Sequence, residues 1–168
     1  MTTTTDNQAK LWDLIKDIRF AMLTTRDAEG HLCARPVTTQ NSSVDDWGKL
    51  WFFLSRKGEA VRELLRDPVV NVSYAEPSDD RYVSISGHAA VVEDQAKKEQ
   101  LWSKLAEAYF PEGPDDPNLA LVAVRIEHAD YWDVKESKLV QLFVMAKAAI
   151  TGKPLDDKLG EHGKVDMA

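Results

Sequence analysis

Cysteine occurs once in the 168 residues, at Cys33, which excludes an intrachain disulfide and fits a reducing compartment. Long hydrophobic runs are missing too. Nothing approaches the ~18 to 20 apolar residues that a membrane helix needs, and the opening Met1-Thr2-Thr3-Thr4-Thr5-Asp6 has neither the charged start nor the apolar core of a secretory leader. A soluble, cytoplasmic protein with no membrane partner is expected. Positive charge is in the minority, with 21 Lys and Arg against 28 Asp and Glu for a net charge of -7. The overall field therefore repels phosphate backbones, and no nucleic acid partner is expected. An anionic ligand would bind only where local cations override that field.

Several chemical signatures are absent as well. No Gly-rich turn links a strand to a helix, as a doubly wound nucleotide fold would require. His31, His88, His128 and His162 have no mutual spacing suited to a metal, there is no HExxH, and Cys33 has no histidine at finger spacing. Cys33 reads as a small hydrophobe in a strand, with no resolving thiol nearby. Ser84 and Ser86 share one face of a strand but lack the Gly-x-Ser-x-Gly elbow of a serine nucleophile. The acid pairs Asp45-Asp46 and Asp115-Asp116 sit where turns are expected and read as strand terminators.

What is present is a series of short β-rich segments with helices inserted between them. Leu11, Leu14, Ile15 and Ile18 repeat at spacings of three and four, which predicts an N-terminal helix within residues 1–19, capped by Thr5 or Asp6. Strands are predicted over 20–25 and 31–40, joined by a short loop in which Gly30 supplies a positive φ, and over 50–54. Pro36 has no backbone donor, so its strand must lie at an edge or be bulged there. A short helix with Val61, Leu64 and Leu65 on one face should end at Asp67-Pro68. Further strands follow over 69–74 and 82–92. A longer helix is expected from Asp94, burying Leu101, Trp102, Leu105 and Ala108, and then come two last strands, 119–132 with a break near Glu127-His128 and 138–145. The tail from Thr151 to Ala168 reads as irregular. With no repeat and no low-complexity linker, residues 1–168 read as a single domain of α+β class, mainly β: a six- to seven-stranded antiparallel barrel with flanking helices.

The order and spacing of six segments carry a resemblance. They are Arg35-Pro36-Val37, the strand ending Phe53-Leu54-Ser55, the run from Asp67-Pro68 to Tyr74, Tyr82 to Gly87, Asp115-Asp116-Pro117, and His128 to Asp133. Together they resemble the pyridoxamine-phosphate-oxidase-like flavoproteins with an FMN-binding split barrel, in the branch called general stress protein 26. The resemblance implies FMN, or FAD, as cofactor and a homodimer with the flavin at its interface. It assigns Arg35 to the flavin phosphate, and Pro36, Val37 and Thr38 to the ring. Phe53, Leu54 and Ser55 lie beneath the flavin, and Trp132 is contributed by the second subunit.

Two departures from the family pattern matter. A lysine that usually reaches the phosphate is replaced by Ala60, so Arg56 and Lys57, at the start of the same helix, are the cations that would substitute. The Arg-Leu-His segment that grips the vitamin phosphate in true pyridoxamine-phosphate oxidases reads Lys138-Leu139-Val140. The expected protein is thus a stress-related flavoprotein, an oxidoreductase of unknown substrate and not a vitamin B6 oxidase. A non-enzymatic flavin carrier or redox sensor, and a cofactor-free dimeric interaction module, stay open as alternatives.

Overall fold

The computed structural model describes residues 4–43, 48–134, 138–152 and 160–167. The chain opens with α1 (Thr4–Ile15), then β1 (Phe20–Arg26), β2 (Leu32–Thr38), β3 (Lys49–Ser55), α2 (Glu59–Arg66), β4 (Val69–Glu76) and β5 (Arg81–Val92). Two short helices, α3 (Gln95–Leu101) and α4 (Lys104–Glu107), lead to β6 (Leu119–Asp133), α5 (Lys138–Thr151) and β7 (Glu161–Asp166). All paired strands run antiparallel in the order β2-β1-β4-β5-β6-β3, with β7 added to β6.

The two ends of this order meet only briefly. Thr39 bridges Phe52, Gln40 N–H donates to the Trp51 carbonyl (2.9 Å), and the Asn41 side-chain oxygen accepts from Trp51 N–H (2.7 Å). Beyond that bridge β2 and β3 diverge, so the barrel is split along one seam. Pro36 lies on β2, which forms its full ladder with β1 alone, as its missing donor requires.

Alternating residues of the sheet fill the interior: Leu23, Leu50, Phe52, Val72, Ile85, Val122 and Val124 are fully buried. Leu11, Leu14 and Ile15 of α1 join this core, and so does Ile18, which lies beyond the end of the helix predicted to include it. At ~25 cal/mol per Å2 each such side chain stabilises the fold by about 1.5 to 3 kcal/mol.

β6 carries one extra residue. Ser86 pairs with His128 and Gly87 with Ile126, which leaves Glu127 as a bulge, at the break expected from sequence. The bulged strand presses on β5, and a Cβ on Gly87 would lie 2.1 Å from the Arg125 carbonyl oxygen.

Five sequence expectations need correction. Helix α1 begins at Thr4, so Thr5 and Asp6 occupy its first turn and do not cap it. Leu65 is exposed, and α2 instead buries Ala60, Val61, Glu63 and Leu64, because Glu63 turns inward to an arginine of β2. The long helix after Asp94 is interrupted at Trp102 and Ser103, both extended, where the indole packs at 5.8 Å from Phe53. The interruption resets the helical phase, exposing Leu105 and Ala108 and burying Ala106. Residues 138–145 are helical, within α5; this run holds two Leu with Met, Lys and Gln, whose helix propensity outweighs its two valines. The irregular tail contains β7, which has no apolar alternation and is ordered by pairing along β6.

Strand β7 is held by more than its ladder. Tyr131 donates to Glu161 (2.7 Å), and Gly163 leaves the space that the Tyr131 ring occupies. His128 lies between two carboxylates, Nδ1 at 2.5 Å from Asp166 and Nε2 at 3.1 Å from Asp130. The Asp166 bond, opposed by burial and reinforced by Asp130, raises the imidazole above its ordinary value. A raised folded value means that the cationic form stabilises the fold. The contribution is present below the ordinary histidine range, while the aspartates stay ionised, and is lost as pH rises through the raised value. Urea unfolding of wild type and His128→Gln should therefore differ most below the ordinary histidine range and converge as pH rises through the raised value. A difference that is equal at both ends would show that His128 acts without its charge.

Candidate functional site

The seam between β2 and β3 opens into a cavity of about 320 Å3. Its two long walls are Pro36, Val37 and Thr38 on one side and Phe53, Leu54 and Ser55 on the other. Leu105, Ala106, Tyr109 and Phe110, from α4 and the turn after it, cover it, and Phe20, Gln40 and Asn118 complete the lining.

Local sequence explains the walls. Backbone groups of a strand alternate in direction. Because Gln40 N–H points across the seam to Trp51, the main-chain groups of Thr38 and Pro36 point the same way. Proline therefore stands where an N–H would face the cleft. Thr38 directs a donor and a carbonyl there, the latter taking a bond from Gln40 Nε2 (3.1 Å). The opposite wall ends in a turn pinned by Asn118. Its main-chain carbonyl accepts from Arg56 N–H (2.7 Å), its side-chain oxygen from Lys57 N–H (3.3 Å), and its amide donates to Ser55 Oγ (3.0 Å).

Continuing the antiparallel count beyond the Thr39–Phe52 bridge sets Pro36 opposite Ser55 and Arg35 opposite Arg56. The cations thus flank the far end of the cleft and are not part of its lining. Arg35 donates through Nη1 to Thr25 Oγ1 (2.8 Å) and through Nη2 to Glu63 Oε2 (2.9 Å). The Thr25 hydroxyl also donates to Glu63. That bond from Thr25, with the Arg35 bond and charge behind it, outweighs burial and holds the Glu63 carboxyl below the usual range. Arg56 donates to Glu93 (2.8 Å) and to the Leu119 carbonyl (3.2 Å). Lys57 is exposed, and Ala60, where a longer cation would have to start, is buried.

Six of the ten residues singled out from sequence therefore line one cleft, and Arg35, Arg56 and Lys57 stand at its end. Trp132 is elsewhere. It stacks on His162 (5.0 Å, 6°) and borders a second hollow of about 300 Å3 with Phe20, Met22 and Tyr82. These four apolar side chains are each 40% exposed or more, on the outer face of the sheet. Sequence reasoning missed the cover formed by Leu105 and Tyr109. The continuous helix it assumed assigned Leu105 to a buried face; the available signal was the Phe110-Pro111-Glu112-Gly113-Pro114 turn.

Elsewhere the chemistry is quieter. Cys33 Sγ is 3.9 Å from Asp27, and burial, then the Asp27 charge, pushes the thiol up, which works against a reactive thiolate. Among the described residues, Asp27, Glu29 and His31 bring ligand atoms within 4.8 Å of one another. The Asp27 carboxylate is already occupied by the amides of Glu29 and His31 (2.9 and 2.8 Å), as in an ordinary hairpin turn. No helix among the described residues is long and apolar enough to cross a membrane.

Residues 6–156 match the model of the family described as pyridoxamine 5'-phosphate oxidase like. A general stress FMN/FAD binding protein from Xanthomonas citri is 32% identical with a TM-score of 0.66, over 80% of this chain and 92% of that one. General stress protein 26 from Bacillus anthracis shares the fold at a TM-score of 0.64 and 19% identity, over 74% of this chain and 92% of that one. Protein bli-3 of Neurospora crassa is 26% identical over 148 residues, 81% of this chain and 69% of its own length.

Proposed function

Because the chain belongs to the pyridoxamine 5'-phosphate oxidase-like family, we propose that the cleft between β2 and β3 binds a flavin, FMN or FAD. We further propose that the protein works as a homodimeric, stress-related flavin-dependent oxidoreductase, and not as a vitamin B6 oxidase. One observation carries the reading: two segments far apart in sequence, 36–38 and 53–55, form the two walls of a single apolar cleft. That cleft also has main-chain polar groups along one edge. A planar ring with polar atoms on its rim needs this combination. The Xanthomonas citri protein, named for FMN and FAD binding, adds support.

The flavin ring, when bound, supplies the electron and hydride chemistry. The chain's own residues bind and orient it. Phe53, Leu54 and Val37 exclude water from its faces, Thr38 and Pro36 offer main-chain contacts at its edge, and Leu105 and Tyr109 cover the mouth. Tyr109 is the one titratable side chain among the described lining residues, so the protein contributes little acid–base chemistry of its own. That favours either direct hydride exchange with a second substrate or a carrier role, and turnover with a nicotinamide donor separates the two.

The exposed apolar side chains Phe20, Met22, Tyr82 and Trp132 support a dimer through the outer face of the sheet. Phe20 borders both hollows, which would link that interface to the cleft. Stripped of any flavin and titrated with it, the protein should bind with a dissociation constant of about 10 µM or tighter, close to -7 kcal/mol. It should run as a dimer in light scattering. Failure to bind either flavin would sink the reading, and full-strength binding by a stable monomer would sink its dimeric part.

A further inference from the structure

Helix α5 does not fit the surroundings its own chain gives it. From Lys138 to Thr151 every residue is apolar except those two, Gln141 and Lys147, yet no residue from 141 to 151 is buried. Leu142, Phe143, Met145 and Ile150 are 48% to 86% exposed. A helix that is apolar all round belongs in an interior, and the described residues of this chain do not supply one. Its start is held by Gln141, whose Nε2 donates to Asp80 (3.1 Å) in the turn between β4 and β5.

The outer hollow of about 300 Å3 runs toward that same turn. Its lining pair Ala75 and Tyr82 stands one pair short of the last rung, Glu76 with Arg81. The small residues Ser73, Ala75 and Ser84 form a floor, and Phe20, Met22, Tyr82 and Trp132 rise beside it. Strands β1 and β5 both pair with β4, so the two rims lie two strand spacings apart, about 10 Å. That is the width of one helix. No residue of α5 lines this trough; within one copy the helix and the groove that would take it stay apart.

We propose that the two meet between copies: α5 of each subunit lies in the outer trough of its partner, and this exchange about a two-fold axis holds the dimer together. The exchange rests on the dimeric part of the function proposed above and deepens it, by naming the element that each partner contributes. In such a reciprocal pair each copy covers eight large side chains, four on the helix and four on the rims, each 40% exposed or more. At ~200 Å2 for a large side chain this is on the order of 800 Å2, the share per partner of a standard stable interface. Charge agrees with the pairing, since both charges of α5 are lysines whereas the chain it would meet carries a net charge of -7.

Sedimentation velocity of the full chain tests this. Phe143→Glu on the helix and Met22→Glu in the trough should each weaken dimerisation by about 100-fold or more, because a two-fold dimer suffers every change twice. Leu65→Glu, a like change at an exposed side chain of α2, should shift it by less than about threefold. To identify what α5 touches, a Phe143→p-benzoylphenylalanine chain is refolded with isotope-labelled wild type and irradiated. Cross-links should join position 143 to tryptic peptides 20–26, 67–81 or 82–97 of the labelled chain. Cross-links confined to the unlabelled chain or to another α5 would overturn the exchange and leave the dimer standing, as would a dimer unmoved by both glutamates or weakened as strongly by Leu65→Glu. A wild-type monomer would instead defeat the dimeric reading itself. A monomer carried down by anionic phospholipid vesicles only while Phe143 is intact would assign α5 to a lipid surface and overturn the exchange with it.

Discussion

Gly87→Ala is expected to lower the stability of this protein by about 3 kcal/mol, at the upper end of the usual cost of overpacking. The reason is specific to the bulge. A Cβ there would stand 2.1 Å from the Arg125 carbonyl oxygen and 3.3 Å from a Val124 methyl. The first of these belongs to the backbone of β6, which cannot swing aside as a side chain tip would. Relief requires β5 and β6 to separate where Ser86 pairs with His128 and Gly87 with Ile126. For a chain of this size the melting temperature should fall by roughly 6 to 12 °C. Gly30 supplies the control, since its Cβ would meet nothing within 4 Å but its φ is +92°, so Gly30→Ala isolates the cost of backbone conformation. A Gly87→Ala melting temperature within about 2 °C of wild type would show that β6 relaxes freely, and the bulge would lose its role as a rigid feature.

The second large effect concerns Arg35. Its removal by Arg35→Ala should cost about 3 kcal/mol of stability, the low end of the range for stripping one partner from a buried ion pair. The low end applies because the guanidinium side keeps 24% of its exposure. The loss comes from what stays behind: Glu63 would keep its charge with only Thr25 to satisfy it. Replacing both members with apolar residues of similar length, Arg35→Met with Glu63→Leu, should recover most of the deficit, since no buried charge is then unpaired. Denaturant unfolding of the two single variants and the double variant measures this directly. If Arg35→Ala leaves stability within about 0.5 kcal/mol of wild type, a change typical of an ordinary surface site, and yet weakens FMN at least tenfold, the arginine is a ligand residue and the pair with Glu63 is incidental.

These two residues also show where reading the chain reaches its limit. Arg35 beside Pro36, in a strand that resembles the flavin-binding segment of its family, reads as a free cation awaiting a phosphate. Nothing in the sequence ties it to Glu63, 28 positions away on a helix whose apolar spacing points elsewhere. The inward turn of Glu63 displaced Leu65 from the buried face and gave Arg35 a partner, so one long-range contact changed both the helix and the site. The cover over the cleft escaped for a related reason. Leu101, Trp102, Leu105 and Ala108 keep a helical period, but the packing of Trp102 on Phe53 breaks the helix and swings Leu105 and Tyr109 toward the cavity.

By itself the sequence determined the antiparallel barrel, the edge position of Pro36, the helical stripe of Leu11, Leu14 and Ile15, and the break at Glu127. All of these follow from local pattern: apolar period, a missing donor, a turn residue. The segments 36–38 and 53–55 are singled out through the family resemblance. Only the tertiary structure decided that β7 would be ordered, that 138–145 would be a helix, and that the cations at the cleft would be paired with carboxylates. Those outcomes depend on which groups meet across the fold. Strand β7 has no pattern of its own and is ordered by the free edge of β6, and a guanidinium gains a carboxylate only if a distant helix brings one to it.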